Sequence, residues 1–141
     1  MTLYLGYLKP PSEAHRNYAK LLYEKRGEAI HVPRIKVELR DWQPKANECH
    51  ENCAEWYSRQ GNCEIVHGWV CVDASAMEFY RFAAHSVIKD SNRSLIDITP
   101  STITSKLLFL SGGLDSDEYF KATDVLHEHL GISNLDHPIN N

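Results

Sequence analysis

Four cysteines, Cys49, Cys53, Cys63 and Cys71, crowd into residues 49–71 of this 141-residue chain, and eight histidines accompany them. Thiolate and imidazole side chains support two chemistries, nucleophilic attack on an acyl carbon and tetrahedral binding of zinc. The nucleophilic reading centres on Cys49. It follows Asn47, a residue type that caps helices, and so falls in the first turn of an expected helix, where the helix dipole and a nearby imidazolium lower a thiol's pKa. His85 and Asp97 lie near the ends of two strands joined by a polar turn. If the connecting loop has an odd number of residues, for example Asp90-Ser91-Asn92, Leu95 faces Val87 and Asp97 faces His85 on one side of the sheet. Opposed Cβ atoms are then about 5 Å apart, close enough for the carboxylate to orient the imidazole. A two- or four-residue loop would put the two residues on opposite faces. In the first case Cys49 is the expected nucleophile, His85 the proton carrier and Asp97 the group that fixes the tautomer of His85.

The zinc reading draws on Cys49, Cys53, Cys63 and His67, with His50 in reserve. Cys49 and Cys53 share one face of the expected helix. Cys63, His67 and Cys71 recur every fourth residue on an expected strand, where such neighbours are about 13 Å apart and do not share an ion. The usual Cys-x-x-Cys knuckle is missing. Cys53, Cys63 and Cys71 are otherwise expected as buried apolar residues, and His67 as a half-buried, hydrogen-bonded histidine. No cofactor is called for.

The elements that must hold these residues follow from periodicity. After Pro10 and Pro11, Ser12 is an N-cap, Ala14, Tyr18, Leu21 and Leu22 form a buried stripe, and Gly27 stops the helix. Ile30 to Leu39 alternates in β fashion, and Pro33 restricts it to an edge strand or extended arm. A helix from Asn47 to Gly61 comes next. Strands are expected over Cys63 to Val72, Tyr80 to Ile88 and Leu95 to Ile98, forming a meander. A short apolar run from Lys106 to Leu110 leads to the turn Ser111-Gly112-Gly113, a last helix from about Asp115 to Leu130 that Gly131 ends, and a loose tail. The pattern is α+β, and 141 residues suit a single domain.

Composition narrows the function classes. The chain is 43% hydrophobic and 24% charged, as globular proteins are, and no run approaches the roughly 18 apolar residues of a membrane span. A net charge of −4 disfavours nucleic acid as a partner, and no membrane partner is expected. The opening stretch Met1 to Lys9 has no basic leader and no small-residue cleavage site, so a cytoplasmic location with unpaired cysteines is expected. Two local patterns are set aside. Ser111-Gly112-Gly113-Leu114-Asp115-Ser116 has the letters of a pyrophosphate-binding loop, but too few residues follow it to build the parallel sheet such loops serve, so a turn and helix cap are expected. His127-Glu128-His129 lacks the paired histidines of zinc-protease helices.

Cys49-His50-Glu51-Asn52, Gly68-Trp69, His85-Ser86-Val87 and Asp97-Ile98-Thr99-Pro100 together resemble a pattern of small bacterial and phage proteins: Cys-x-x-Asn, Gly-Trp, His-x-Val, Asp-x-Thr-Pro. The order of helix-start cysteine, strand histidine and strand aspartate is similar to that of transglutaminase-like members of the papain-like cysteine enzymes. The resemblance covers about residues 29–100 and leaves the terminal helices as additions. It departs from transglutaminases in having no Trp after the cysteine and no His-x-Trp. What it implies is a papain-like or transglutaminase-like core in which Cys49, His85 and Asp97 form a triad. The substrate implied is an amide or an ester, a protein among the candidates, and the reaction is acyl hydrolysis or acyl transfer. Gln43, six residues before Cys49, takes the spacing of the oxyanion-stabilising glutamine of papain-like proteases. Asn52, one turn along the helix, is a cleft residue or a loop holder, and Trp69 a cleft wall or a core residue. The competing expectation is a zinc-stabilised or structural interaction domain, or a degenerate relative that uses its cleft for binding alone.

Overall fold

The computed structural model describes residues 11–101, 107–123 and 133–139. Met1 to Pro10, Lys106, the expected helix end around Leu130 and Gly131, and His127-Glu128-His129 lie outside the described residues. Helix α1, Glu13–Glu24, begins as its cap residue dictates. Ser12 Oγ accepts from the His15 amide at 3.2 Å, and the His15 ring reaches back to the Ser12 amide. Ala19 and Leu22 are buried, whereas Leu21, expected in the same stripe, is 41% exposed. The helix closes at Lys25, and Gly27 falls in the 3-10 turn that follows, Arg26–Glu28, instead of at the cap.

The remaining elements are β1 (Ile30–Val32), α2 (Cys49–Gln60), β2 (Glu64–Ala74), β3 (Phe79–Lys89), β4 (Leu95–Ile96), β5 (Leu107–Leu110), α3 (Ser116–Ala122) and β6 (Asn134–Pro138). All six strands join one sheet through antiparallel pairs, in the order β1-β5-β2-β3-β4, with β6 also on β3. The fold is therefore α+β. No described helix is long and apolar enough to cross a membrane. β1 stands at the edge, where the missing amide hydrogen of Pro33 leaves no ladder position empty.

Strand alternation sorts the core into two sides. On one side of the long β2–β3 hairpin, Trp69, Cys71, Tyr80 and Phe82 pack with Ala19 and Leu22 of α1 and Tyr119 of α3. Farther along that side, Cys53 of α2 packs on Ile88 and Ile98. The other side carries Val32, Val87, Leu107 and Phe109. At Gly68, β5 lies tight against β2. A Cβ there would stand 2.5 Å from both the Leu110 carbonyl oxygen and the Phe109 ring.

The expected loose tail is instead strand β6. Leu135 enters the core, and the Asp136 carboxylate takes two hydrogen bonds from the Arg81 guanidinium directly across the ladder, at 2.8 and 2.9 Å. Such bidentate pairs fix register as well as adding energy. β6 and β4 share the same edge of β3. β6 pairs with Phe79 to Ala83 and β4 with Ile88 and Lys89, so the stretch around His85 lies between the two.

Gly68→Ala is expected to destabilise the protein by about 1–3 kcal/mol, because a Cβ at this contact must push β5 backbone aside. A lower urea midpoint at unchanged slope is the signature to look for.

Candidate active site

Cys49 is the first residue of α2. The cap position belongs to Glu48, not to Asn47 as expected; Asn47 lies one residue earlier at φ 65, a left-handed conformation that asparagine tolerates. Glu48 makes no side-chain capping bond, whereas α1 and α3 are each closed by a full capping box. The first-turn amides of α2 are thus left to the groups around the cysteine.

The loop between β3 and β4 runs from Asp90 to Ser94, because Lys89 pairs with Leu95. Five residues instead of three slide the pairing by two positions, so Leu95 faces Lys89 and not Val87. An odd length keeps the parity, and His85 and Asp97 stay on one face as diagonal neighbours. His85 Nε2 lies 3.0 Å from Asp97 Oδ1. An ionised carboxylate only accepts, so Nε2 carries the proton and Nδ1 is left for the sulfur. Asp97 itself is 1% exposed. Its Oδ1 also accepts from the Thr99 amide at 3.2 Å, and Arg34 Nε stands 3.3 Å from Oδ2, close enough for an ion pair though poorly aligned for a hydrogen bond. The backbone is clamped as well, with the Asp97 amide donating to the Pro33 carbonyl and the Ile35 amide donating to the Asp97 carbonyl, each at 2.9 Å.

Electrostatics separates Cys49 from the other thiols. Burial pushes it up, but hydrogen bonds from His50 and His85 and the positive charge of both rings outweigh burial and lower it to about 6. For His85 burial acts downward, and hydrogen bonds to Asp97 and Cys49 with their negative charges raise it to about 9. Between those values the stable form is thiolate beside imidazolium. Burial raises Cys53 and Cys63, and raises Cys71 to about 11.

A cavity of about 280 Å³ opens beside Cys49, His85 and Asp97, with Val70, Ala83 and Leu107 in its wall. Gln43 is not part of it. It lines a neighbouring cavity of about 550 Å³ that shares Arg34 and Asp97 with the first. Asn52 is buried, and its amide is spent on the fold: it accepts from the Lys45 amide at 3.0 Å and donates to the Lys45 carbonyl at 2.8 Å and to Thr99 Oγ1 at 3.1 Å. It holds the loop before α2 and offers no donor to the cleft. Trp69 is fully buried, its indole N–H donating to Tyr18, so it is core and not cleft wall.

The alternative zinc ligands are dispersed. Cys53 and Cys63 belong to the apolar cluster around Ile88, and His67 Nδ1 bonds to Ser86 Oγ at 2.6 Å. Among the described residues no three His, Cys, Asp or Glu side chains are grouped to hold a metal. The glycine turn before α3 serves packing. Gly112 has φ 73 and accepts the Tyr18 hydroxyl, and a Cβ there would collide with that hydroxyl. The helix start behind it is already closed by Asp115 and Glu118, whose carboxylates would repel phosphate.

Three neighbours of the site escaped sequence reasoning. Arg34 carried no signal beyond its place in an arm. Ser86, inside the His-x-Val pattern, accepts or donates at 2.6 Å to both His50 Nδ1 and His67 Nδ1. Tyr119 inserts its hydroxyl into the β2–β3 ladder, accepting from the His85 amide at 3.1 Å and donating to the Gly68 carbonyl at 2.8 Å. No family model, no curated protein and no solved structure matches the chain.

Tyr119→Phe removes the group that satisfies two buried backbone atoms. The expected loss is about 1–3 kcal/mol, together with faster hydrogen exchange at the His85 amide.

Proposed function

We propose that this protein is a thiol-dependent acyl hydrolase or acyl transferase acting on an amide or ester, with Cys49 as nucleophile, His85 as acid and base, and Asp97 as the residue that orients His85. The observation that carries the reading is the state of Cys49, a helix-start thiol lowered to about 6 beside a histidine raised to about 9 and backed by a buried carboxylate 3.0 Å away. The chain order of the three residues, and the packing of the cysteine helix against an antiparallel sheet, agree with the papain-like and transglutaminase-like arrangement that the motifs resemble.

In this mechanism the Cys49 thiolate attacks the acyl carbon, and the developing oxyanion is met by the uncapped amides of the first turn of α2. Neither Gln43 nor Asn52 is needed for that role. His85 gives its proton to the leaving amine or alcohol, which departs and leaves a thioester on Cys49. The now neutral His85 takes a proton from water, or from an acceptor amine or alcohol, as that group attacks the thioester. Collapse expels the thiolate and restores the imidazolium. Asp97 keeps its hydrogen bond to His85 Nε2 throughout.

The rate of iodoacetamide alkylation at Cys49, located by peptide mass spectrometry across pH, is the direct test. An apparent pKa near 6 is expected. A value at the free-thiol level of about 8.5 would sink the proposal. For turnover of an activated ester, kcat/KM rises as the thiolate forms near 6 and falls as the imidazolium is lost near 9, giving a bell. Asp97→Asn is expected to lower kcat/KM roughly a hundredfold or more, since the amide no longer fixes the tautomer and charge of His85.

A further inference from the structure

The cavity beside Cys49 has polar and apolar walls, and the reaction above uses only the polar ones. Cys49, His85 and Asp97 supply the first kind, and Val70, Ala83 and Leu107 the second. Sheet closure explains why the two kinds meet. β1 and β4 are the outer strands of the five-strand run, and Arg34, just past β1, forms a parallel bridge with Asp97, just past β4, which joins the two edges beside the site. Strand residues of a closed sheet alternate between inside and outside, and Val70, Val87, Leu107 and Phe109 form the inward cluster. His85 shares their side, two residues from Val87. Ala83 is the next inward position on β3, about 7 Å along the strand from His85, and its partner across the ladder is Val70. Its methyl group leaves room that a larger side chain would occupy. Behind these walls Val32, Val87 and Phe109, each at 1% exposure or less, belong to packed core.

From this geometry we infer that the apolar side of the cavity is an acyl-binding subsite for an aliphatic acyl group of about six carbons, and that Ala83 sets the chain length it accepts. The inference rests on the acyl-transfer reading of the site and names its substrate class, an ester or amide of an apolar carboxylic acid. Volume sets the size. The cavity measures about 280 Å³. An apolar cavity of roughly 150 Å³ takes up benzene, so roughly half of the space holds a six-carbon group and the rest remains for the acyl carbonyl and the attacking sulfur.

The order of events assigns the subsite to the acyl part of the substrate and not to the leaving group. At the thioester stage the acyl group stays on Cys49, while the leaving group departs and water or an acceptor takes its place beside His85. A pocket backed by packed core suits the part that stays. The neighbouring cavity of about 550 Å³ shares Arg34 and Thr99 to Ser101 with this one and offers the exchanging groups a separate route.

The experiment applies two reagent series to wild type, Ala83→Leu and Ala83→Val, with thermal unfolding of each variant as the check on folding. Valine suits a strand and serves if the leucine variant fails to fold. In the first series, p-nitrophenyl esters from acetate to dodecanoate, the leaving group is constant and the acyl chain lengthens. The expected kcat/KM rises about fourfold per buried methylene up to hexanoate, and levels off or falls beyond octanoate. In Ala83→Leu the hexanoate-to-acetate ratio falls about tenfold or more, and in Ala83→Val it falls by a smaller factor. The second series, alkyl methanethiosulfonates from methyl to hexyl, needs no acyl chemistry. The Cys49 thiolate attacks the alkyl-bearing sulfur, a disulfide forms and methanesulfinate leaves. The same length preference, reduced in both variants, is expected in the rate at Cys49 located by peptide mass spectrometry. A flat ester profile, or a preference for longer chains that both Ala83 variants retain, overturns the subsite and leaves the main reading standing. A preference in the methanethiosulfonate series that Ala83→Leu abolishes, in a protein that turns over no ester or amide, has the opposite meaning: the apolar subsite beside the thiol holds and the acyl-transfer reading fails.

Discussion

A carboxylate buried to 1% exposure would cost several kcal/mol if it stood alone, and the Asp97 side of this fold is arranged so that it does not. His85, Arg34 and the Thr99 amide converge on its two oxygens from three separate parts of the chain. The same residue's backbone is bonded on both sides to the arm at Pro33 and Ile35. One anion therefore holds together the arm that leaves β1, the exit of β4 and the middle of β3. Asn52 adds a further tie, joining Thr99 to the loop that introduces α2. The helix that carries Cys49 is positioned by contacts that lead back to this carboxylate.

Arg34, Asp97, His85 and Cys49 form a run of alternating sign, positive, negative, positive, negative. Each inner member has an opposite charge on both sides. At His85, burial is outweighed by the two opposite charges that flank it; at Cys49 it is outweighed by His50 and His85 together. The run also has direction. Arg34 and Asp97 line both cavities, whereas His85 and Cys49 line only the smaller one, so the thiol end is the end with an apolar wall of Val70, Ala83 and Leu107.

Much of this arrangement was legible in sequence because it depends on local signals. A cap signal placed Cys49 in a first turn, although the cap itself moved from Asn47 to Glu48. Strand parity kept His85 and Asp97 on one face even though the loop was five residues and not three. Parity survives an error of two in register, and an error of one would have destroyed it. The residues that were missed or misplaced act across long separations. Tyr119 reaches the ladder from 34 residues beyond His85, and Asn52 reaches Thr99 across 47. Gln43 sits at a familiar spacing from Cys49, but spacing in a loop does not fix direction, and the chain carries it to the other cavity. β6 looked like a tail because its own sequence, Asn134 to Pro138, is polar; its pairing with β3, the burial of Leu135 and the Arg81–Asp136 ion pair are what make it a strand.

The contrast between Cys49 and Cys53 shows how narrow the geometric condition is. Both lie on α2, about one turn apart. His85 and Ser86, consecutive on β3, point to opposite faces of the sheet, and Cys49 and His50, consecutive on α2, engage one each. A helix start can do this only at a strand edge, and the edge in question is the interval of β3 between the partners β6 and β4. One turn farther along, the helix has moved off the edge and onto the sheet. Cys53 is fully buried against Ile88 and Ile98, and burial there drives its thiol up with no imidazole to oppose it. The same side chain on the same helix is a nucleophile candidate at the edge and an apolar filler over the face. The divided edge of β3, as much as the identity of the residues, thus decides where a thiolate can form.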